Sequence, residues 1–351
     1  MNMNIQEGAV PYAERHLITD SGFALIWPFI NVPKGNGPYE LFLDTNALSD
    51  TRWANEIPKP IRERAILNPF FALMEEWLSN EQFRANPFER IEAFIGPLEA
   101  MGLQFRKNFA GEQADLLALN HSQLCNQCSL LFPNIAIVKS LLREKISSDA
   151  ALSRVRELVM SDIPKFSGCL MFMALAVLLK SRQSMKLQGD DIPAYSYLQS
   201  FLAFQQKKGE MDRINIPYLR NRSGDLTLWY LLPMLLQRNY QFAGEPVVVT
   251  QDKALHRLIF RLLPPTLHSS RAVNFSVDPG EVDIALLNSI AEVLSGIEVS
   301  ANQTLPERTR RMKLQFDLAA KLCTYSEESQ ALMDAWETWY RPGADLAMQL
   351  G

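Results

Sequence analysis

Along this chain, short apolar runs that stop abruptly at polar triplets are separated by long stretches with helical spacing. The sharpest run is Leu41-Phe42-Leu43, which ends at Asp44-Thr45-Asn46. Far downstream, Pro246-Val247-Val248-Val249 ends in the same way at Thr250-Gln251-Asp252. A few consecutive apolar residues bounded by turn signals predict a strand covered on both faces. Residues 23–27 form another candidate strand, followed by a link containing Pro33, Gly35, Gly37 and Pro38. A weakly alternating run over 271–277 predicts a last strand.

Between the two sharp strands the pattern turns helical. Asn68-Pro69 predicts a helix start with Asn as cap and Pro in the first turn, opening a helix over 69–78. Asn86-Pro87-Phe88-Glu89 predicts a second, running to Gly102, with Glu89 placed to meet the unpaired amides of the first turn. Further helices are expected over 115–130, 134–146, 149–160, 166–182 and 192–207, with Asp149 and Asp191 as caps. Another is expected over 225–238, opened by Asp225 and kinked or divided by Pro233. Helix returns over 253–263, and residues 280–345 show amphipathic spacing. No period of 20 to 50 residues repeats. The order predicts an α/β fold: a core with a parallel sheet, a large α-helical insertion and a helical C-terminal region. The expected boundaries are 1–80 and 210–280 for the two parts of the core, 81–209 for the insertion and 281–351 for the C-terminal region.

Composition narrows this picture without redirecting it. The 351 residues are 47% hydrophobic, enough for a sizeable core. The formal charge of −4 means that any nucleic-acid contact must come from local basic patches. The longest apolar run, 166–179, is flanked by Lys165 and Lys180. It falls short of the ~20 residues that span a bilayer and reads as a buried helix. Residues 1–10 lack the basic-then-apolar pattern of a secretion signal, so a soluble, cytoplasmic protein is expected. Cys125 and Cys128 form a lone Cys-x-x-Cys without a second pair at zinc spacing, and read as ordinary reduced thiols. His16, His121, His256 and His268 show no metal-ligand spacing. The sequence holds no Gly-x-Ser-x-Gly elbow, no phosphate-binding Gly-x-x-x-x-Gly-Lys loop and no Gly-x-Gly-x-x-Gly.

The chemistry therefore rests on acids. The C-terminal tips of strands in open parallel sheets are where ligands and metals bind, and both sharp strands deliver an Asp there. Hard divalent cations such as Mg2+ and Mn2+ take carboxylate oxygens, while carboxylates clustered without a partner raise one another's pKa. Here the sequence resembles the PIN-domain family of metal-dependent nucleases. The resemblance lies in the Asp-Thr-Asn after the first strand, in Gly224-Asp225-Leu226 ahead of the next β element, and in the strand-Thr-x-Asp stretch over 247–252. It implies that Asp44, Glu75, Asp225 and Asp252 hold Mg2+ or Mn2+ and carry catalysis through a metal-activated water. Glu76 is the alternative to Glu75, since only one of two adjacent helical residues can face the site. The resemblance further implies a nucleic-acid substrate, with single-stranded RNA first, and a role as a toxin or in defence. It covers the core segments only, because a long insertion separates the second and third acids.

Around those acids, Asn46, Arg220, Arg222, Thr250 and Lys253 are the candidate substrate contacts. Lys207, Lys208, Arg213, His256 and Arg257 extend the basic neighbourhood, and the stretch containing Arg308, Arg310, Arg311 and Lys313 is a second candidate surface. Tyr218, Trp229 and Tyr230 lie among the cations as candidates for stacking on single-stranded bases, although Trp229 and Tyr230 read first as core residues. The helical regions are candidate sites for a protein regulator or a second copy of the chain. Two other readings remain open. In one, the PIN-like core is a catalytically silent binding scaffold. In the other, Asp44 is the nucleophile of a phosphatase, against which stands Asn46 where an Asp would be wanted.

Overall fold

The computed structural model describes residue 5 and residues 7–206, 210, 212–270, 272–297 and 303–350, with side chains as far as Ala347. The expected cations Lys207 and Lys208 lie outside the described residues. The chain divides into two compact units, Met1–His121 with Gly224–Gly280, and Ser122–Ser223 with Glu281–Gly351. The boundaries thus fall at 121 and 223, where 80 and 209 were expected. Residues 81–121 join the first unit because they supply its fifth strand and the helices packed around it.

The first unit is built on a six-stranded sheet. Its strands are β1 (His16–Ile18), β2 (Ala24–Ile26), β3 (Tyr39–Leu43), β4 (Ala65–Asn68), β5 (Gln104–Phe105) and β6 (Glu245–Thr250), in the spatial order β1-β2-β6-β3-β4-β5. Strands β6, β3, β4 and β5 run parallel, while β2 lies antiparallel to β6 and β1 antiparallel to β2. Strand β3 is central and every residue in it is buried, which is why it reads as an unbroken apolar run. Its register with β6 pairs Leu43 with Val249, so the two C-terminal tips are level.

Strands β4 and β5 escape the apolar pattern. Strand β5 is two residues long, and β4 ends on Asn68, which also starts the next helix. The Asn68 Oδ1 accepts from the Phe70 amide at 3.1 Å, opening helix Phe70–Ser79. The expected last strand is β8 (Val273–Phe275). It pairs antiparallel with β7 (Pro265–Leu267) in a separate ribbon, and Leu267 packs in an apolar cluster with Phe29, Val32 and Leu236.

The helix expected to open at Asp225 begins earlier. It runs unbroken from Ile216 to Gln237, straight through Pro233. Asn215 caps it, with its Oδ1 accepting from the Tyr218 amide at 2.8 Å. Asp225 is therefore a mid-helix residue and not a cap. Pro233 removes one backbone bond, at a cost of about 3 kcal/mol, but Leu226, Leu228, Trp229, Leu231 and Leu232 around it are buried and hold the helix in place. Trp229 and Tyr230 are buried, as expected of core residues, and Tyr218, a candidate for stacking on bases, is fully buried as well.

The second unit is helical among its described residues, including Phe132–Arg143, Ser148–Met160, Ser167–Ser181, Ala194–Phe201, Ile284–Val293, Leu305–Leu322 and Ser326–Ala335. The helix expected over 115–130 is two, Phe109–Leu119 and His121–Ser129. Ser147 takes the capping role expected of Asp149, and Pro193, not Asp191, precedes Ala194–Phe201. Nearly all of Ser167–Ser181 is buried, in keeping with a core helix. No helix among the described residues is long and apolar enough to cross a membrane. Cys125 and Cys128 lie buried on helix His121–Ser129 and form no disulfide.

Candidate functional site

Asp44 and Asp252 meet at one end of the sheet. Asp44 follows β3, and its amide extends the ladder by donating to the Val249 carbonyl of β6 at 3.0 Å. The buried Asp44 carboxylate accepts from the Thr45 amide (2.8 Å), the Thr250 hydroxyl (2.7 Å) and the Asn46 amide group (3.3 Å). Thr250 links the two tips, because its Oγ1 also accepts from the Asp252 amide at 3.0 Å. Asp252 caps the next helix through Oδ1, which accepts from the Leu255 amide at 2.8 Å.

Helix Phe70–Ser79 brings Glu75 to the same place. The Thr45 hydroxyl donates to Glu75 Oε2 at 2.5 Å. Glu76 turns elsewhere, accepting from the Asn80 side chain at 3.3 Å. Of the two adjacent acids, Glu75 is thus the one at the strand tips. Gly224 lies against it: a Cβ there would stand 3.2 Å from the Glu75 carboxyl carbon. Asp225 follows Gly224 on that helix turn and is half-buried. Thr45 is the residue whose role the sequence left unassigned. The signal was its place between the two polar residues of the tip, where a hydroxyl can reach a neighbouring element.

Burial pushes the Asp44 carboxyl up, and Glu75 pushes it further; together with Asp252, against the Thr250 and Thr45 hydrogen bonds, they bring it to about 7. The charged groups acting on it are acids, which is the environment a cation would relieve. The donor set of carboxylates and threonine hydroxyls suits a hard divalent ion. Among the described residues, no three His, Cys, Asp or Glu side chains stand together as a ready-made metal cage.

The candidate contacts divide. Asn46 is exposed at the tip, and Lys253 is exposed immediately after Asp252. Thr250 is fully buried and acts on Asp44. Arg222 belongs to the helical unit, where it is buried and paired with Glu210 at 2.9 Å. That commitment removes it from the surface cations. Arg220, half-buried in the same unit, donates to Asn221 Oδ1 at 3.4 Å. Arg213 pairs with Glu327, Arg310 and Arg311 with Asp162, and Lys313 with Asp317. The second basic stretch is therefore largely neutralised within its own unit. No family model, curated protein or solved structure matches this chain.

Gly224→Ala tests the Glu75 approach. Alanine favours a helix interior by about 1 kcal/mol, but its Cβ forces the Glu75 carboxylate aside. Thermal stability should hold or rise, while any activity that depends on Glu75 drops about tenfold, since small misplacements are costly at a reacting centre. Unchanged activity in the variant would remove Glu75 from the site.

Proposed function

We propose that the sheet unit is a PIN-like core and that the protein is a Mg2+- or Mn2+-dependent nuclease acting on RNA. The observation that carries this reading is the buried Asp44 carboxylate at the level tips of parallel β3 and β6, with acids as its charged neighbours. Asp44, Glu75 and Asp252 would hold the cation, with Asp225 on the adjoining helix turn as the fourth acid. A divalent ion so held lowers the pKa of a water and stabilises charge on a phosphoryl oxygen. Thr250 orients Asp44, and Thr45 orients Glu75. Asn46 and Lys253, exposed beside the acids, are placed to contact the substrate backbone.

Purified protein incubated with labelled single-stranded RNA should cleave it with Mn2+ and not with EDTA. Partners one shell out from a metal are typically worth 10–100-fold, so Asp44→Asn should lose more than about 100-fold. Cleavage by Asp44→Asn at the wild-type rate would sink the assignment.

A second reading has its own observation. The hydrogen bonds that occupy Glu75 and Asp252 also suit a silent scaffold that binds a partner without chemistry. Calorimetry separates the two: Mn2+ uptake that disappears in Asp44→Asn supports the nuclease, and no uptake by wild type supports the scaffold.

A further inference from the structure

The helix that follows Asp252 carries Lys253, Arg257 and Arg261, spaced by four. In a regular α-helix such a spacing drifts by about 40° per step. Here Leu255–Ile259 form a π turn, which takes an extra residue in each hydrogen-bonded ring. The wider turn reduces that drift between Lys253 and Arg257. Lys253 is exposed, Arg257 half-buried and Arg261 buried, so the row leads from solvent into the unit. At its inner end Tyr12 gathers the neighbours. Arg261 lies 5.5 Å from the Tyr12 ring centroid, His16 stacks on that ring at 4.3 Å, and the Tyr12 hydroxyl donates to the His256 carbonyl.

Lys34, exposed after β2, sits 4.8 Å over the Trp27 ring. Burial first, and then the charges of Arg257, Arg261 and Lys34, hold the His16 imidazole below its ordinary range. Burial, Arg257, His16 and Lys253 do the same to His256. Glu14 is the acid that acts on Lys34. In a chain with a formal charge of −4, these basic side chains gather on the sheet unit, beginning one residue after Asp252.

We propose that His16, Lys34, Lys253 and Arg257 form the surface that holds the phosphate backbone of a nucleic-acid strand leading to the acids at the β3 and β6 tips. This rests on the nuclease reading. Lys253 and Arg257 stand about one turn apart along the helix, a spread that suits successive phosphates rather than one isolated anion. The run of cations begins beside Asp252, and the acids stand at that end of it.

Fluorescence anisotropy of labelled single-stranded RNA in EDTA tests the surface on the full chain. Wild type, Lys34→Gln, Lys253→Gln and the double variant are titrated over a range of salt. Each lost phosphate contact should flatten the salt dependence of log K by about 0.7, and the double variant should bind about tenfold more weakly at low salt. A folded double variant with wild-type affinity and slope overturns the surface. Cleavage with Mn2+, assayed in parallel, tells the two failures apart. Lysine-dependent binding without cleavage keeps the surface and overturns the nuclease. Cleavage with lysine-independent binding overturns the surface alone, and wild type that binds no RNA overturns both.

Discussion

Asp44→Asn should raise the stability of the metal-free protein at pH 8 by about 2 to 3 kcal/mol. The Asp44 carboxyl is held at about 7 in the folded chain, against 3.8 ordinarily. A shift of about three units corresponds to about 4 kcal/mol, and the acceptor lost on going to Asn takes back roughly 1 to 2 kcal/mol. The sign follows from proton counts. Between pH 4 and 7 the folded state keeps a proton that the unfolded state releases, so stability falls as pH rises through that window. The penalty is complete above about pH 7 and absent below about pH 4. Urea unfolding in EDTA at pH 4.5 and pH 8 reads it directly. The variant should gain at pH 8 and change little at pH 4.5. A wild type more stable than the variant at pH 8 would show that the acids around Asp44 do not act as placed. Mn2+ added to wild type should recover the same stability, as a ligand bound only by the folded state does.

The second large effect lies at the other end of the same strand. Glu40 is fully buried, and its carboxylate accepts from Arg106 Nη2 (3.0 and 3.1 Å), Asn68 Nδ2 (2.7 Å), the Tyr240 hydroxyl (2.8 Å) and the Ala243 amide (2.8 Å). These partners tie β3, β4 and the approach to β6 into one knot. Removing one member of a buried pair leaves the others desolvated and unpaired, at a cost of about 3 to 5 kcal/mol. Glu40→Ala should lose that much in the unfolding of the sheet unit. Tyr240→Phe, which deletes a single donor, should lose about 1 kcal/mol. A Glu40→Ala loss below about 1 kcal/mol would mean that the knot is not formed. Glu40 and Asp44 lie on the same face of β3, so one strand carries a carboxylate with every need met and another surrounded by its own kind.

Much of this was legible in the apolar runs. Strands β3 and β6 are covered on both faces, so burial writes them plainly into the sequence, and the Asp at each tip follows. The order of elements also gave the α/β class. The hidden parts are those where one residue serves two elements or where a distant contact decides. Asn68 closes β4 and opens a helix, and only the helix signal shows. Asp225 after Ser223-Gly224 looks like a helix entry, yet Asn215 had already started that helix. At Gly224 a Cβ would press on the Glu75 side chain, 3.2 Å from its carboxyl carbon. Arg222 reads as a surface cation until Glu210 is found beside it. No local pattern encodes these facts, since each depends on what the fold brings from elsewhere.

The placement of β6 has a consequence for synthesis. It lies between β2 and β3, so in the sheet the β1–β2 hairpin joins the other strands only through it. It is also the last of the six to be made, with Thr250 lying 206 residues after Asp44. At 5 to 20 residues per second, the ribosome leaves β3 without that neighbour for roughly 10 to 40 s. Throughout that interval Asp44 lacks Thr250 and Asp252, and the acids cannot assemble. Under the proposed reading, such a nuclease would stay silent until β6 has been made and has entered the sheet between β2 and β3.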